Sequence, residues 1–307
     1  MLMRINLKIY YKRNGLYEEC KKRKGLFGGI KLTWFKVIIA AIVIGVYCGV
    51  IALIPATLNT SFRDICISFE VWILFGIVII MNSESHKDSA LKCFVFFLIS
   101  QPLIYIVQDI VNHSNLLMTY YRFWILPTIL CVPMGFIGYY MKKDKWWGLL
   151  ILLPMMVFLG FHYSGFLREL IFLFPSHLLS AIFCVVTIII YPLFIFKNRK
   201  IKNIGIVLGI IIVLVFTIIT IVKPKVYDIQ FFGGDNYQVK KTDKVYLKDK
   251  KYGEARIKYE SGLDEYCVNM SFVRGGKTEF VIVSKDGKKR EYTIKIYTSK
   301  YDINEKK

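Results

Sequence analysis

Four side chains in this 307-residue sequence are of types that move protons or ligate metals, and each lies inside or at the end of a long apolar run: Glu70, Asp109, His162 and His177. A carboxylate beside an imidazole can serve as acid and base, and Arg122 or Arg168 could hold an anionic group next to them. An ionised group at the centre of a bilayer costs about 2.5 kcal/mol or more, so such residues face a cavity or one another. Glu70 and Asp109 are therefore the first acids to test. The plainer reading is that Asp109, His113, His162 and His177 are hydrated at one headgroup layer, while Glu70 pairs with a neighbouring Arg or Tyr for packing. No H-E-x-x-H, G-x-S-x-G or phosphate-loop pattern is present, and a metal needs at least three convergent ligands, so neither a metal nor another cofactor is expected.

Seven apolar segments must position these residues: 36–55, 66–82, 92–111, 122–141, 146–164, 173–196 and 203–222, each near the length of a spanning helix. The second is short and contains Glu70. Dropping it would put two basic clusters on the opposite face from the basic N-terminal tail, which the positive-inside rule disfavours. With seven spans the tail is cytoplasmic, together with Lys87 and Lys92, the 142–145 turn with its three lysines, and the 197–202 loop. Arg63, Arg122, Arg168 and the C-terminus are then outside. Tyr139, Tyr140, Trp146 and Trp147 flank the 142–145 turn at headgroup level, its lysines reaching into cytoplasmic water. A helical rise of about 1.5 Å per residue sets Asp109 and His162 about 25 Å, and His177 about 30 Å, above the inner loops, with Glu70 deepest in the core.

Pro102, Pro127, Pro133 and Pro154 fall within spans and free backbone carbonyls there, and Gln101 beside Pro102 is a polar contact of the kind transporter sites use. The two halves of the segment order do not repeat, which weighs against a transporter. Gly45 with Gly49, and Gly205 with Gly209, have the G-x-x-x-G spacing that lets helices approach closely, either first span on last or as a homodimer seam.

With 55% hydrophobic and only 21% charged residues, the chain is too apolar for a soluble protein. Its net charge of +20 is divided by the apolar spans, which argues against nucleic acid, and the basic N-terminal tail suits the anionic lipids of an inner leaflet. No small-residue cleavage site follows the first span, which reads as an uncleaved signal anchor. None of the seven cysteines has metal-ligand spacing; Cys66 and Cys267 alone would lie outside the membrane, where they could pair.

After Val222 the pattern changes to alternation. Strands are predicted at 226–232, 244–247, 254–260, 265–270, 278–284 and 290–297, with Tyr292, Ile294 and Ile296 facing one way and Glu291, Thr293 and Lys295 the other. Asp286-Gly287 suits the positive φ angles of a tight hairpin. The run GGKTEFVIVSKDGKKREYTIKIY, residues 275–297, resembles the closing hairpin of the cadherin-like and Ig-like β-sandwich modules of bacterial surface proteins. The resemblance implies an adhesive, spacing or ligand-presenting module.

The expected fold class is an α-helical polytopic membrane domain of about seven transmembrane helices followed by a small all-β, Ig-like sandwich. The expected divisions are a basic cytoplasmic tail (1–35), the transmembrane domain (36–222) and an extracytoplasmic sandwich (223–307). The leading functional expectation is a multi-pass cell-envelope protein, not an enzyme, that presents the sandwich for binding, sensing or assembly. Its basic surface would suit anionic lipids or wall polymers. The alternatives are a small-molecule or ion transporter or channel, and a membrane-embedded enzyme acting on a lipid-linked substrate.

Overall fold

The computed structural model describes residues 27–306 other than 114, 115, 235, 236, 262, 263, 298 and 299, with backbone alone at 116–118; the basic tail to residue 26 lies outside the described residues. Eight helices are described: α1 (Trp34–Leu53), α2 (Ser61–Ile67), α3 (Phe69–Asn82), α4 (His86–Asn112), α5 (Leu116–Gly138), α6 (Trp146–Phe172), α7 (Leu178–Ile195) and α8 (Arg199–Val222). Among the described residues six stretches are long and apolar enough to cross a membrane, and α2 with α3 makes a seventh if that pair, bent by 43°, is one span. The protein is thus a multi-pass helical membrane protein with a C-terminal all-β region. The weak second segment is the broken one. Ser68 takes an extended conformation (φ −74°, ψ 163°) and donates its N–H to Asp64 O, ending α2, and α3 restarts at Phe69 with Glu70 in its first turn.

By contacts the described chain forms two compact units, Met1–Tyr163 with Leu179–Phe216, and Ser164–Leu178 with Thr217–Lys307. In the first, the buried side chains include Val37, Trp72, Phe96, Leu152, Ile188 and Tyr191. The glycine pairs are occupied within the chain. A Cβ at Gly45 would stand 2.7 Å from Ser100 O and one at Gly49 2.8 Å from Val107 Cβ, so α1 lies on α4; one at Gly205 would stand 2.5 Å from Pro192 Cβ, so α8 lies on α7. The close approach allowed by each spacing is thus made to a different neighbour, and the first span does not use it on the last.

Lys142 departs from the expectation that the lysines of its turn reach water, and Lys92, expected in a cytoplasmic loop, is buried in α4. Lys142, in the 3-10 turn Tyr139–Lys143, is 1% exposed, donates to Ser83 O at 2.6 Å and stands over the Tyr139 ring. Lys92 is 4% exposed and donates to Leu32 O (2.9 Å) and Asp88 Oδ2 (2.7 Å). An ammonium is retained in a buried place only where donors meet acceptors. Here the carbonyl of Ser83, which caps the C-terminus of α3, serves Lys142, and the carbonyl of Leu32 with the Asp88 carboxylate serves Lys92. Asn82 adds to the same knot by bonding both Phe27 O and Ile30 N.

The second unit contains the β region. Strands β1 (Tyr227–Phe231), β6 (Glu265–Phe272) and β5 (Gly253–Glu260) form one antiparallel sheet in the order β1-β6-β5. Strands β4 (Lys244–Leu247), β7 (Gly276–Val283), β8 (Lys289–Ile296) and β9 (Tyr301–Glu305) form the other in the order β4-β7-β8-β9, and a short ladder pairs β2 (Gly233–Gly234) with β3 (Tyr237–Gln238). One core joins the sheets: Ile229, Val268, Met270 and Phe272 with Phe280, Ile282, Tyr292, Ile294 and Ile296. The six predicted strands are all present; β2, β3 and β9 were not predicted. In the β7–β8 hairpin only Gly287 takes a positive φ, +79°, because Gly287 N bonds Ser284 O across an ordinary turn before the chain re-enters the ladder.

Phe172, the last residue of α6, is 1% exposed in that core, and its carbonyl accepts from Gly275 N at 2.6 Å. Lys225, between α8 and β1, pairs with Glu169 of α6, and Ser164 and Thr220 hydrogen bond hydroxyl to hydroxyl at 2.7 Å. The ends of α6 and α8 therefore fold with the strands.

Candidate functional site

The helix break positions the deepest acid. Glu70 is 1% exposed, and His162 of α6 brings Nδ1 to 2.8 Å from its Oε1. The distance is that of an ion pair, but the ring lacks hydrogen-bond alignment, and neither carboxylate oxygen has a hydrogen-bond partner among the described residues. The first turn of a helix favours a carboxylate, because its N–H groups and the macrodipole present positive charge there. Cys184 and Tyr191 of α7, both 0% exposed, lie within electrostatic reach of Glu70. Nearby, Ser180 donates to Asp64 Oδ2 at 2.7 Å, so α7 presents a buried polar row to the α2–α3 break.

The His162 ring is framed by aromatics, with Phe158, Phe69 and Phe161 centroids 4.6, 5.5 and 6.0 Å away. Phe69 and Phe158 also line a cavity of about 370 Å³ between α3, α4, α5 and α6. Its walls are almost wholly apolar, with Trp72, Phe97 and Trp124 prominent among them, and Pro127 and Pro154 inside their helices. Gln101 stands in the wall, 1% exposed, and its Nε2 has no hydrogen-bond partner among the described residues.

Asp109 is half-buried near the end of α4, and Arg122 is exposed on α5. His177 and Arg168 belong to the second unit, His177 being 8% exposed at φ 64° with its ring stacked on Phe166 at 6.1 Å, and Arg168 half-buried. Among the described residues no group of three or more His, Cys, Asp or Glu side chains is placed to hold a metal. Sequence reasoning missed Cys184 and Tyr191. The signal was their spacing with Ile188, which puts all three on one face of α7. Cys66 and Cys267 are free thiols, Cys267 being 0% exposed on β6.

On the outer face of the four-stranded sheet Lys248 bonds Glu279 and Glu291, each at 2.8 Å, and Lys306 pairs with Glu279. Hydrogen bonds from Lys248 and then Lys306 hold the Glu279 carboxyl well below its ordinary range, at about 2, and Lys248 lowers Glu291 likewise. Burial pushes the Cys267 thiol up, which makes it a poor nucleophile. Tyr246, Tyr259, Val273 and Tyr301 remain at least two-fifths exposed on this domain, as contact residues would be.

No protein-family model matches this chain, and neither a curated protein nor a solved structure matches it significantly.

Proposed function

We propose that the chain is a multi-pass protein of the cell membrane, its N-terminus cytoplasmic and its C-terminus outside, that presents its β domain at the outer face for binding or assembly and catalyses no reaction. The observation that carries this reading is the mounting of the domain. Phe172 closes its core, and Glu169 and Lys225 brace it, so strands and helix ends form one unit rather than a module on a loose tether. A module whose own core includes the helix ends is carried by those ends, as presentation at a membrane face requires. Two antiparallel sheets around one core support a kinship with Ig-like surface modules. The exposed tyrosines Tyr246, Tyr259 and Tyr301 are the residues proposed to make the contact.

The test is complementation of a deletion strain. Changing those three tyrosines to Ser, on a protein present at the wild-type level, is expected to abolish rescue of the strain's envelope phenotype. Full rescue by that variant, or by a chain stopped after Val222, would overturn the reading. Ion or solute flux through the purified protein in proteoliposomes, above that of empty vesicles, would move the function to the helices.

A further inference from the structure

The cavity between α3, α4, α5 and α6 has three properties that together specify a ligand class. It is long and narrow: its lining runs along α3 from Phe69 to Ile80, about 16 Å at the helical rise. Its volume, about 370 Å³, lies in the range of small-molecule sites. Its mouth is apolar, since Leu130 and Met134 line it and are each 47% exposed on α5, a spanning helix, so the phase outside the mouth is hydrocarbon rather than water.

Such a cavity is too apolar to be filled stably by water. Yet Gln101, one of its lining residues, carries an amide donor that nothing described satisfies, at a cost recovered only when an acceptor arrives. Gln101 is one turn beyond Phe97, whose ring lies 5.9 Å from Trp72 in the first turns of α3, so the donor sits toward the end framed by Phe69 and Phe158. The Glu70–His162 pair abuts that same end. Polar groups thus gather at one end and hydrocarbon occupies the other, toward Ile80 and Gly135.

We propose that the cavity holds the hydrocarbon chain of a bilayer lipid, entering from the membrane past Leu130 and Met134, with Gln101 Nε2 donating to an oxygen at the polar end of that chain. The chain lies against Trp72 and Gly76. Gly76 is the position where the cavity needs to stay empty: a Cβ built there meets nothing within 4 Å, so the wall is open at that point rather than packed. The site belongs to the helical unit and stands independently of what the β domain binds.

Trp72 reports occupancy directly, being 2% exposed and shielded from lipid outside the cavity. The full chain carrying Trp72 alone, with Trp34, Trp124, Trp146 and Trp147 changed to Phe, is reconstituted in nanodiscs of phosphatidylcholine with brominated acyl chains, and its emission is compared with that in unbrominated discs. Strong quenching is expected, and Gly76→Leu, which fills the cavity, should remove it. Leu130→Trp in the same chain would add a second fluorophore, so Leu130→Phe serves as the plug at the mouth and should slow or abolish quenching should Gly76→Leu fail to fold. Gln101→Leu should weaken retention about threefold to tenfold, the loss of one hydrogen bond. Relief of quenching by a long-chain polyprenol identifies an isoprenoid chain as the preferred guest, and no relief identifies the phospholipid chain. Unquenched Trp72, while a chain carrying only the exposed Trp146 is quenched, would overturn the proposal, as would equal quenching in folded Gly76→Leu.

Discussion

Replacing Phe172 by Ala tests whether a membrane helix completes the core of the β domain. The ring is 1% exposed, packs edge-on against Tyr227 at 6.4 Å and carries the Lys225 ammonium 5.6 Å from its centroid. Truncating a buried Phe costs about 3–5 kcal/mol, transfer and cavity terms together. A β domain of about 80 residues has roughly 4–12 kcal/mol in total to lose. The Gly275 to Phe172 bond is between backbone groups and survives the substitution, so the ring alone is measured. The assay is amide hydrogen exchange of the full chain in detergent, followed at the central strands β7 and β8, whose amides exchange through the largest openings. A loss of 3–5 kcal/mol speeds their exchange about 140- to 3700-fold. Phe174→Ala, two residues on and 74% exposed, is the control and should change exchange less than about threefold. If Phe172→Ala also stays within threefold, the ring contributes nothing to that core and the domain is mounted by other means. By the same reasoning the fragment 226–307, which lacks Phe172, should show β-sheet by circular dichroism but melt well below the domain in the full chain. A fragment equal to it in stability would refute the mounting.

Glu279 is ordinarily half-protonated at 4.5 and is held in the fold at about 2, so its pairing with Lys248 and Lys306 stabilises the domain above 4.5, and that contribution is lost as pH falls from 4.5 towards 2. Lys248→Met should flatten the pH dependence of the urea midpoint across this window; an unchanged slope would show the pairing to be idle. Glu70→Ala and His162→Ala should each lower thermal stability in detergent, and together cost less than their sum by about 0.5–3 kcal/mol, since the first substitution already breaks their 2.8 Å pair; strict additivity would mean they do not interact. Because Cys267 is buried, the orientation of the chain is to be tested with Lys285→Cys in the exposed β7–β8 turn: a membrane-impermeant maleimide should label it in intact cells, and labelling only after permeabilisation would place the C-terminus inside.

The class of fold was legible because both of its signals are periodic. Charge-free runs of spanning length gave the helices to within a few residues at most ends, and the alternation through Tyr292, Ile294 and Ile296 gave a strand whose inward residues are 1%, 0% and 0% exposed. Strand β9 escaped because Tyr301–Glu305 shows little burial pattern: it is an edge strand, exposed on nearly every residue, and its place comes from pairing with β8 rather than from its own residues. Phe172 escaped for a related reason. In a sequence of apolar spans, one Phe at a helix end looks like any other lipid-facing or interfacial aromatic, and its partner Gly275 lies about a hundred residues further along the chain.

The acid–histidine pair was half legible, and the missing half lies in the backbone. Glu70 was singled out because an acid in an apolar segment is costly, and that cost is met here by two things that hydropathy does not record. The first is the break at Ser68, which sets residue 70 of the apparent span in the first turn of a helix, where N–H groups and dipole favour the carboxylate. The second is His162, ninety-two positions away in the chain. The two are coupled through the aromatics between them, because Phe69 follows the break directly and stacks its edge on the imidazole. A straight α2–α3 helix would carry Phe69 and Glu70 in helix interior, deprive the acid of free N–H groups, and leave it no local compensation. The break that makes the second span look too short is therefore the same feature that lets an acid reside there, and it sets that acid at the end of the lipid-sized cavity rather than in its wall.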